Sequence, residues 1–362
     1  MLPLRTGVGL VKVVAWYGWD PATGKWGYPI RQVWGLSSHQ EMSPALEDKL
    51  AFTLTATGSY AEAAAVAQKW GCEVEDSTLH VLAQRLGKRA EEQTQDRLET
   101  AALELRPQRA DSQLAVFMLD GWQARHRGPG WGKKKTKKKR VEWHEMKMGV
   151  FYLQDQAART AGDRGLLSEK VVVCWSGQGG VELGRRLHWE ALRRGLGRAK
   201  WILVVGDGAP WIWNVAADRW AEAEELLDFY HASEHLWELG RALYGEDKAK
   251  AWVEKGLHQL RHGQEQKFLA SIARLKLSGG KRGKTVREQK KYFANQAKRM
   301  NYEDIAKRGW PIGSGAVESA CSGHQNRFKR RGQFWTKEGL ANLAALKQAR
   351  ENKHWEELWF AA

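Results

Sequence analysis

Three acidic residues stand where phosphodiester chemistry would want them. Asp120 ends the apolar run Ala115-Val116-Phe117-Met118-Leu119, and Asp207 follows Trp201-Ile202-Leu203-Val204-Val205 after one glycine. Glu318 falls in the first turn of a helix that Gly313-Ser314-Gly315 opens. Cutting or exchanging a phosphodiester needs an activated oxygen nucleophile and a stabilised leaving oxygen, and two divalent ions about 4 Å apart supply both. Hard cations take carboxylate oxygens, so three acids brought together from separate elements are the donor set this chemistry requires. One Asp at a strand end is more often a turn or cap residue; three acids in compatible fold positions favour the functional reading. A second pattern, His231-Ala232-Ser233-Glu234-His235, fits the H-x-x-E-H spacing of zinc peptidases, with its histidines one helical turn apart. That reading leaves the three acids unexplained, and simple capping or packing is the alternative for His235.

The elements that must position these residues can be read from periodicity. Residues 8 to 34 give Val/Trp/Tyr-rich strand segments around a turn at Asp20-Pro21-Ala22-Thr23-Gly24. From Ser43 the period becomes helical: Ser43-Pro44 caps a first helix through Leu54, Ser59 caps a second that Gly71 ends, and Asp76-Ser77 begin a third carrying Leu79, Leu82 and Leu86. A polar helix over 88 to 105 then links this helical module to the strands beyond Asp111. The second and third helices read either as a helix-turn-helix or as plainly packed helices, and Glu73, Glu75 and Asp76 argue against tight DNA contact at the turn itself.

Beyond Asp111 come strands at Ala115 to Leu119, at the alternating Met146, Met148, Val150 and Tyr152, and at Val171 to Trp175. A helix from about Gly180 to Arg194 leads to the strand before Asp207, and Leu226 to Tyr230 form a short fifth strand candidate. Trp211 and Trp213 read as packing residues at the helix start beside Asp207. A long helical, polar stretch then runs to about Lys307. This order predicts an α+β or α/β chain with a ribonuclease H-like catalytic domain: a mixed sheet with flanking helices, split by an insertion too long for an ordinary loop. The expected domains are a β element over 1–41 of unassigned role, a helical region over 42–110, the catalytic domain over 111–237 and 308–350, and the helical insertion over 238–307.

Charge narrows the class of partner. The 362 residues carry 58 Lys and Arg against 42 Asp and Glu, a net +16, which points to a polyanion. Lys133, Lys134, Lys135, Lys137, Lys138, Lys139 and Arg140 contribute +7, residues 281 to 299 another +7, and Arg327, Lys329, Arg330 and Arg331 +4. These three segments exceed the net charge of the whole chain, so the surplus is local and lies within the expected catalytic domain and insertion. A nuclear localisation signal or a solvated helix face are the other readings of such runs. Cys72, Cys174 and Cys321 are too few and too far apart for a disulfide framework or a four-cysteine zinc module. The 20 Trp are expected chiefly in packing; Trp310, Phe334 and Trp335, near Glu318 in sequence, have base stacking as the alternative. Neither an 18-residue apolar run nor a signal-peptide h-region occurs, so no membrane association and a cytoplasmic, nucleoid-associated location are expected.

Several long stretches resemble one family. LDGW at 119–122, GDGAPWIWN at 206–214, LDFYHASEHLW at 227–237 and PIGSGAVESACSGHQNRFKRRGQFW at 311–335, with weaker likeness at MSPALEDKL and SYAEAAAVAQKWG, are similar to ISKra-type insertion-sequence transposases, relatives of the Mutator-like DDE superfamily. The resemblance extends over most of residues 42 to 345. It implies that Asp120, Asp207 and Glu318 hold two Mg2+ ions, with Mn2+ able to substitute. It also implies that Asp228 and His231 form the Asp-x-x-His element of Mutator-like enzymes, in a positional or electrostatic role. The implied partners are double-stranded DNA, as terminal inverted repeats and as target, and at least a dimer is expected on DNA. A domesticated, catalytically idle DNA-binding protein is the rival within the same fold, and the zinc peptidase the rival outside it.

Overall fold

The structure, a computed structural model, describes residues 1–21, 24–34, 36, 42–100, 113–132, 141–160, 165–276 and 279–359. The chain folds as two compact units, the first from residues 1–99, 124–144 and 324–362, the second from 100–123 and 145–323.

The first unit opens on two hairpins, β1 (Leu2–Thr6) with β2 (Gly9–Val13) and β3 (Gly18–Asp20) with β4 (Lys25–Gly27), followed by the short α1 (Ile30–Val33). The strands begin at Leu2, earlier than periodicity suggests, because Leu2 and Leu4 are buried while their neighbours are not. Helix α2 (Pro44–Ala56) starts where Ser43 accepts a hydrogen bond from Leu46 N–H. Helix α3 (Tyr60–Lys69) starts where Ser59 accepts one from Glu62 N–H, and Glu62 in return accepts from Gly58 N–H, one residue before the cap, a relative of the capping box. Helix α4 (Asp76–Thr100) runs unbroken for 25 residues, where two successive helices were expected. Its apolar stripe continues past Gly87 to Ala90 and Leu98. Gly87 is there for close approach rather than as a stop: a Cβ would lie 2.1 Å from the Asn342 carbonyl oxygen.

The second unit is built on β5 (Gln113–Arg127), β6 (Val141–Leu153), β7 (Ala157–Arg159), β8 (Gly165–Leu167), β9 (Val171–Trp175), α5 (Val181–Arg193), β10 (Ala199–Gly206), α6 (Pro210–Arg219) and β11 (Glu224–Leu227). Residues of β5 from Ala124 and of β6 up to His144 belong to the first unit. Five strands make one mixed sheet in the order β11-β10-β5-β6-β9: β10 runs parallel to both β5 and β11, and β6 antiparallel to β9. Ala115, Phe117, Leu119, Phe151, Val171, Val173 and Val204 pack one face against Leu183 and Leu187 of α5 and Ile212 and Val215 of α6. Phe117 stacks on Trp220 at 3.7 Å. The sheet strand carrying Asp120 does not stop there as expected: Trp122, Ala124 and His126 are buried in alternation with more exposed neighbours, and this period of two carries β5 to Arg127.

The described residues of the expected insertion are mainly helical: α7 (Phe229–Tyr244), which begins before it, then α8 (Ala249–Arg261), α9 (Glu265–Ala273), α10 (Gly280–Asn295) and α11 (Tyr302–Lys307). Helix α12 (Gly315–Phe328) comes next, and α13 (Lys337–Glu351) completes the first unit. There Gln84 bonds Asn342 at 3.0 Å, Arg350 donates to Thr55 at 3.1 Å and the Trp355 indole to Asp48 at 2.6 Å. Tryptophan is less uniformly a packing residue than its count suggests: Trp122, Trp189, Trp213, Trp220 and Trp335 are buried, but Trp16, Trp19, Trp26 and Trp143 are each more than half exposed. Among the described residues no helix is long and apolar enough to cross a membrane.

Candidate active site

Strand register brings Asp120 and Asp207 together. In the parallel pair β5/β10, Met118 lies opposite Val205 and Leu119 opposite Gly206, so each aspartate is the residue just beyond the last rung. Side chains alternate along a strand. With Ala115, Phe117 and Leu119 in the core, Asp120 shares the other face with Val116 and Met118. Met118 lines a cleft with Gly315, Ala316 and Ser319, the first turn of α12, which also carries Glu318.

Asp120 is half-buried, and this burial raises its pKa above the usual aspartate range. Hydrogen bonds from Gly121 N–H and the Cys321 thiol oppose the rise, while the Asp207 and Glu318 carboxylates add to it. Cys321 lies three residues beyond Glu318, so one face of α12 presents both to Asp120. Burial and the Asp120 carboxylate push the thiol far up, which keeps it protonated and a donor.

Asp207 sits on a held turn. Its Oδ1 accepts from Ala209 N–H at 2.8 Å. Gly208 has φ +99°, a conformation glycine adopts without the Cβ penalty. From the insertion, the Tyr292 hydroxyl donates to the Asp207 carbonyl at 2.9 Å, and Gln296 Nε2 to the Gly208 carbonyl at 3.0 Å. Glu318 is exposed, and its Oε1 accepts from Ser314 Oγ at 2.8 Å.

Asp228 is buried and caps α7. One carboxylate oxygen accepts from His231 N–H at 2.7 Å and the other from Ser314 N–H. Its own N–H donates to the Gly206 carbonyl at 2.8 Å, and Phe229 N–H to the Ile312 carbonyl at 3.0 Å. Asp228 thus joins the strand end before Asp207 to the segment before Glu318, and its geometry is that of a positioning residue.

His231 meets His235 through their Nε2 atoms at 3.2 Å, and His235 Nδ1 lies 2.7 Å from Gln289 Oε1. An amide oxygen only accepts, so His235 carries its proton on Nδ1. Burial holds the His235 pKa down; the ring is therefore neutral, and its Nε2 accepts from His231 Nε2–H. His235 also stacks on Tyr292 at 3.7 Å. These contacts leave His231 Nδ1 facing Glu234 at 3.8 Å.

Among the described residues no group of three or more His, Cys, Asp or Glu side chains is disposed to hold a metal ion. As oriented, Asp120, Asp207 and Glu318 each accept from a protein donor. Their chemistry nevertheless suits a hard divalent cation: three carboxylates act on one another at Asp120, a repulsion that a cation relieves. The pair His231 and His235 has no third ligand side chain, among the described residues, to complete a zinc site.

The basic segments take different places. Residues 133–140 lie outside the described residues. On α10, Lys281, Arg282, Lys284, Arg287 and Lys291 are exposed opposite the buried Val286, Gln289 and Phe293. In the first unit Arg327 is buried, with donors on the Leu54 and Gly58 carbonyls and its guanidinium over the Tyr60 ring at 5.0 Å. Arg330 pairs with Glu62 at 2.8 Å, which leaves Lys329 and Arg331 exposed. Cys321, Ser314, Tyr292 and Gln296 were not foreseen. The spacing of Ser314 and Cys321 from Glu318 gives a helical-face signal, but nothing in sequence ties Tyr292 and Gln296 to a turn more than 80 residues earlier.

No protein-family model matches this chain, and no curated protein matches it either.

Proposed function

We propose that the chain is a DDE-type DNA transposase on a ribonuclease H-like fold, which cleaves insertion-sequence ends and joins them to target DNA. The observation that carries this reading is the register Leu119 to Gly206, which sets Asp120 and Asp207 side by side with Glu318 in electrostatic reach. The strand order β9-β6-β5-β10-β11, with helices after it and a final acid-bearing helix, agrees with it.

In this reading Asp120, Asp207 and Glu318 hold two Mg2+ ions. When bound, the ions activate the attacking oxygen and stabilise the leaving oxygen. Asp228 fixes the two segments that deliver Asp207 and Glu318. Tyr292 and Gln296 fix the Asp207 turn, so the insertion positions the site. Water attacks the phosphodiester at an element end and frees a 3′-OH, which then attacks a target phosphodiester and displaces its 3′ oxygen. Exposed cations on α10, with Lys329 and Arg331, supply contacts to DNA phosphates. A dimer or higher oligomer on paired ends belongs to the same proposal.

A second reading, a DNA-binding protein without catalysis, draws on the carboxylates being held by protein donors. The deciding assay incubates purified protein with labelled element-end duplexes and Mg2+ or Mn2+. Strand cleavage that disappears in Asp207→Asn supports the transposase. Cleavage undiminished in that variant removes the metal assignment, and metal-independent binding without nicking favours the second reading.

A further inference from the structure

The first unit contains a cleft that the catalytic reading does not use. It encloses about 380 Å³ and is lined by Tyr60, Asp76, His80, Arg127, Phe334 and Trp335, among others, a volume within the roughly 300–1,000 Å³ of small-ligand clefts. The aromatic rings around it form a connected surface. Phe334 lies 4.8 Å from Trp131; the Arg125 guanidinium stands 5.3 Å from the Phe334 ring centre and 6.0 Å from Trp143, and Arg127 stands 5.9 Å from Trp131. Trp143 is 55% exposed.

Local backbone contacts hold this surface rigid. Arg127 N–H donates to the Trp335 carbonyl at 2.8 Å, Trp335 N–H to the Arg125 carbonyl at 3.0 Å, and Arg127 Nε to the Phe334 carbonyl at 3.1 Å. Neither Arg125 nor Arg127 forms an ion pair with a carboxylate among the described residues, and Arg127 is exposed.

We propose that this cleft binds an unpaired nucleotide, with the base stacked on Phe334, the phosphate on Arg127, and the base edge read by Asp76 and His80. The chemistry argues for that occupant. Aromatic rings interleaved with guanidinium groups stack bases of any identity and neutralise the backbone between them. The Asp76 carboxylate, which also lines the cleft, can accept from exocyclic amino groups. A base within a duplex has both faces covered by its neighbours, so only an unpaired one can enter. The proposal rests on the transposase reading for the choice of DNA over RNA.

The test titrates the full-length protein into a single-stranded DNA oligonucleotide carrying 2-aminopurine, whose fluorescence stacking quenches, and into the same strand annealed as a duplex. Quenching is expected with the single strand only. Affinity should fall on the order of 10-fold in Phe334→Ala and return in Phe334→Trp; Arg127→Gln should weaken binding and flatten its salt dependence. Unchanged affinity and quenching in Phe334→Ala, or equal quenching by the duplex, overturns the proposal. Should Phe334→Ala fail to fold, the exposed Arg127 decides, and unchanged affinity in Arg127→Gln has the same force. Element-end cleavage is scored in parallel: cleavage without Phe334-dependent quenching removes this site alone, whereas quenching without cleavage removes the catalytic reading alone.

Discussion

Asp120 and Asp207 occupy equivalent positions on neighbouring parallel strands, each one residue past the rung formed by Leu119 and Gly206. Burial is the main reason the charged form of Asp120 is disfavoured, and the Asp207 and Glu318 carboxylates add to it. Such an arrangement costs folding free energy unless something positive is supplied.

This strain has a pH signature. Because the folded chain holds the Asp120 proton more tightly than the unfolded chain, stability falls as pH rises from the ordinary aspartate range through the raised value, and the full cost remains at neutral pH. Asp120→Asn should therefore melt higher than the parent near neutral pH in EDTA. Mg2+ should raise the parent's melting temperature and leave the variant's unchanged. A variant that melts lower in EDTA would show that the site is not strained by its charges.

Asp228 offers a contrasting case. Its two oxygens accept from His231 N–H and Ser314 N–H. Asp228→Ala removes a cap and orphans a buried donor, with an expected cost of about 2–4 kcal/mol. Asp228→Asn, which keeps one acceptor oxygen, should recover part of that loss in chemical denaturation. Equal stability of both variants and the parent would contradict this placement.

Arg327 and its basic neighbours should separate cleanly. Replacing Lys329 and Arg331 with Gln should lower the slope of log affinity for DNA against log salt by up to about 2, since each phosphate contact contributes roughly 0.9. Arg327→Gln should leave that slope alone and lower the melting temperature, because its donors serve the Leu54 and Gly58 carbonyls. Filter binding across a salt series, with thermal melts, reads both.

His126 makes the first unit acid-sensitive. Burial, aided by His144 and Lys337, depresses its pKa from 6.5 to about 4, and neither ring nitrogen has a hydrogen-bond partner among the described residues. The unfolded chain takes up a proton that the folded chain refuses, so the stability present above pH 6.5 is lost progressively as pH falls toward 4, by roughly 3 kcal/mol at most. His126→Leu should flatten the melting temperature across that window. An unchanged acid limb would assign the loss to other groups.

Much of the sheet could be read from the chain because its strands are short apolar runs with punctuation. Val171–Trp175 has the expected bounds, and the caps at Ser43 and Ser59 do what their spacing implied. Two of the misread boundaries share a cause. Gly121 and Gly87 look like stops, yet neighbours that pack close to glycine let β5 and α4 run through them. The acids were legible since each ends an apolar run or opens a helix. Their supports were not: Tyr292 and Gln296 are ordinary polar residues on a basic helix until tertiary structure aims them at the Asp207 turn. Arg327 shows the converse, a basic residue in a basic run that folding turns inward.

The interleaved chain path of the first unit sets a timetable for its birth. Helices α2 and α4 leave the ribosome early, but the surface they need belongs to α13, whose Asn342 backbone fills the notch at Gly87. At about 5–20 residues per second, some 250 residues of further synthesis hold those helices without their partner for roughly 12–50 seconds. Throughout that interval the Gln84 and Gly87 side of α4, which Asn342 covers in the finished fold, is open to holdase chaperones. Nascent chains stalled before residue 337 should accumulate on such chaperones, whereas release of the complete chain ends the exposure at once.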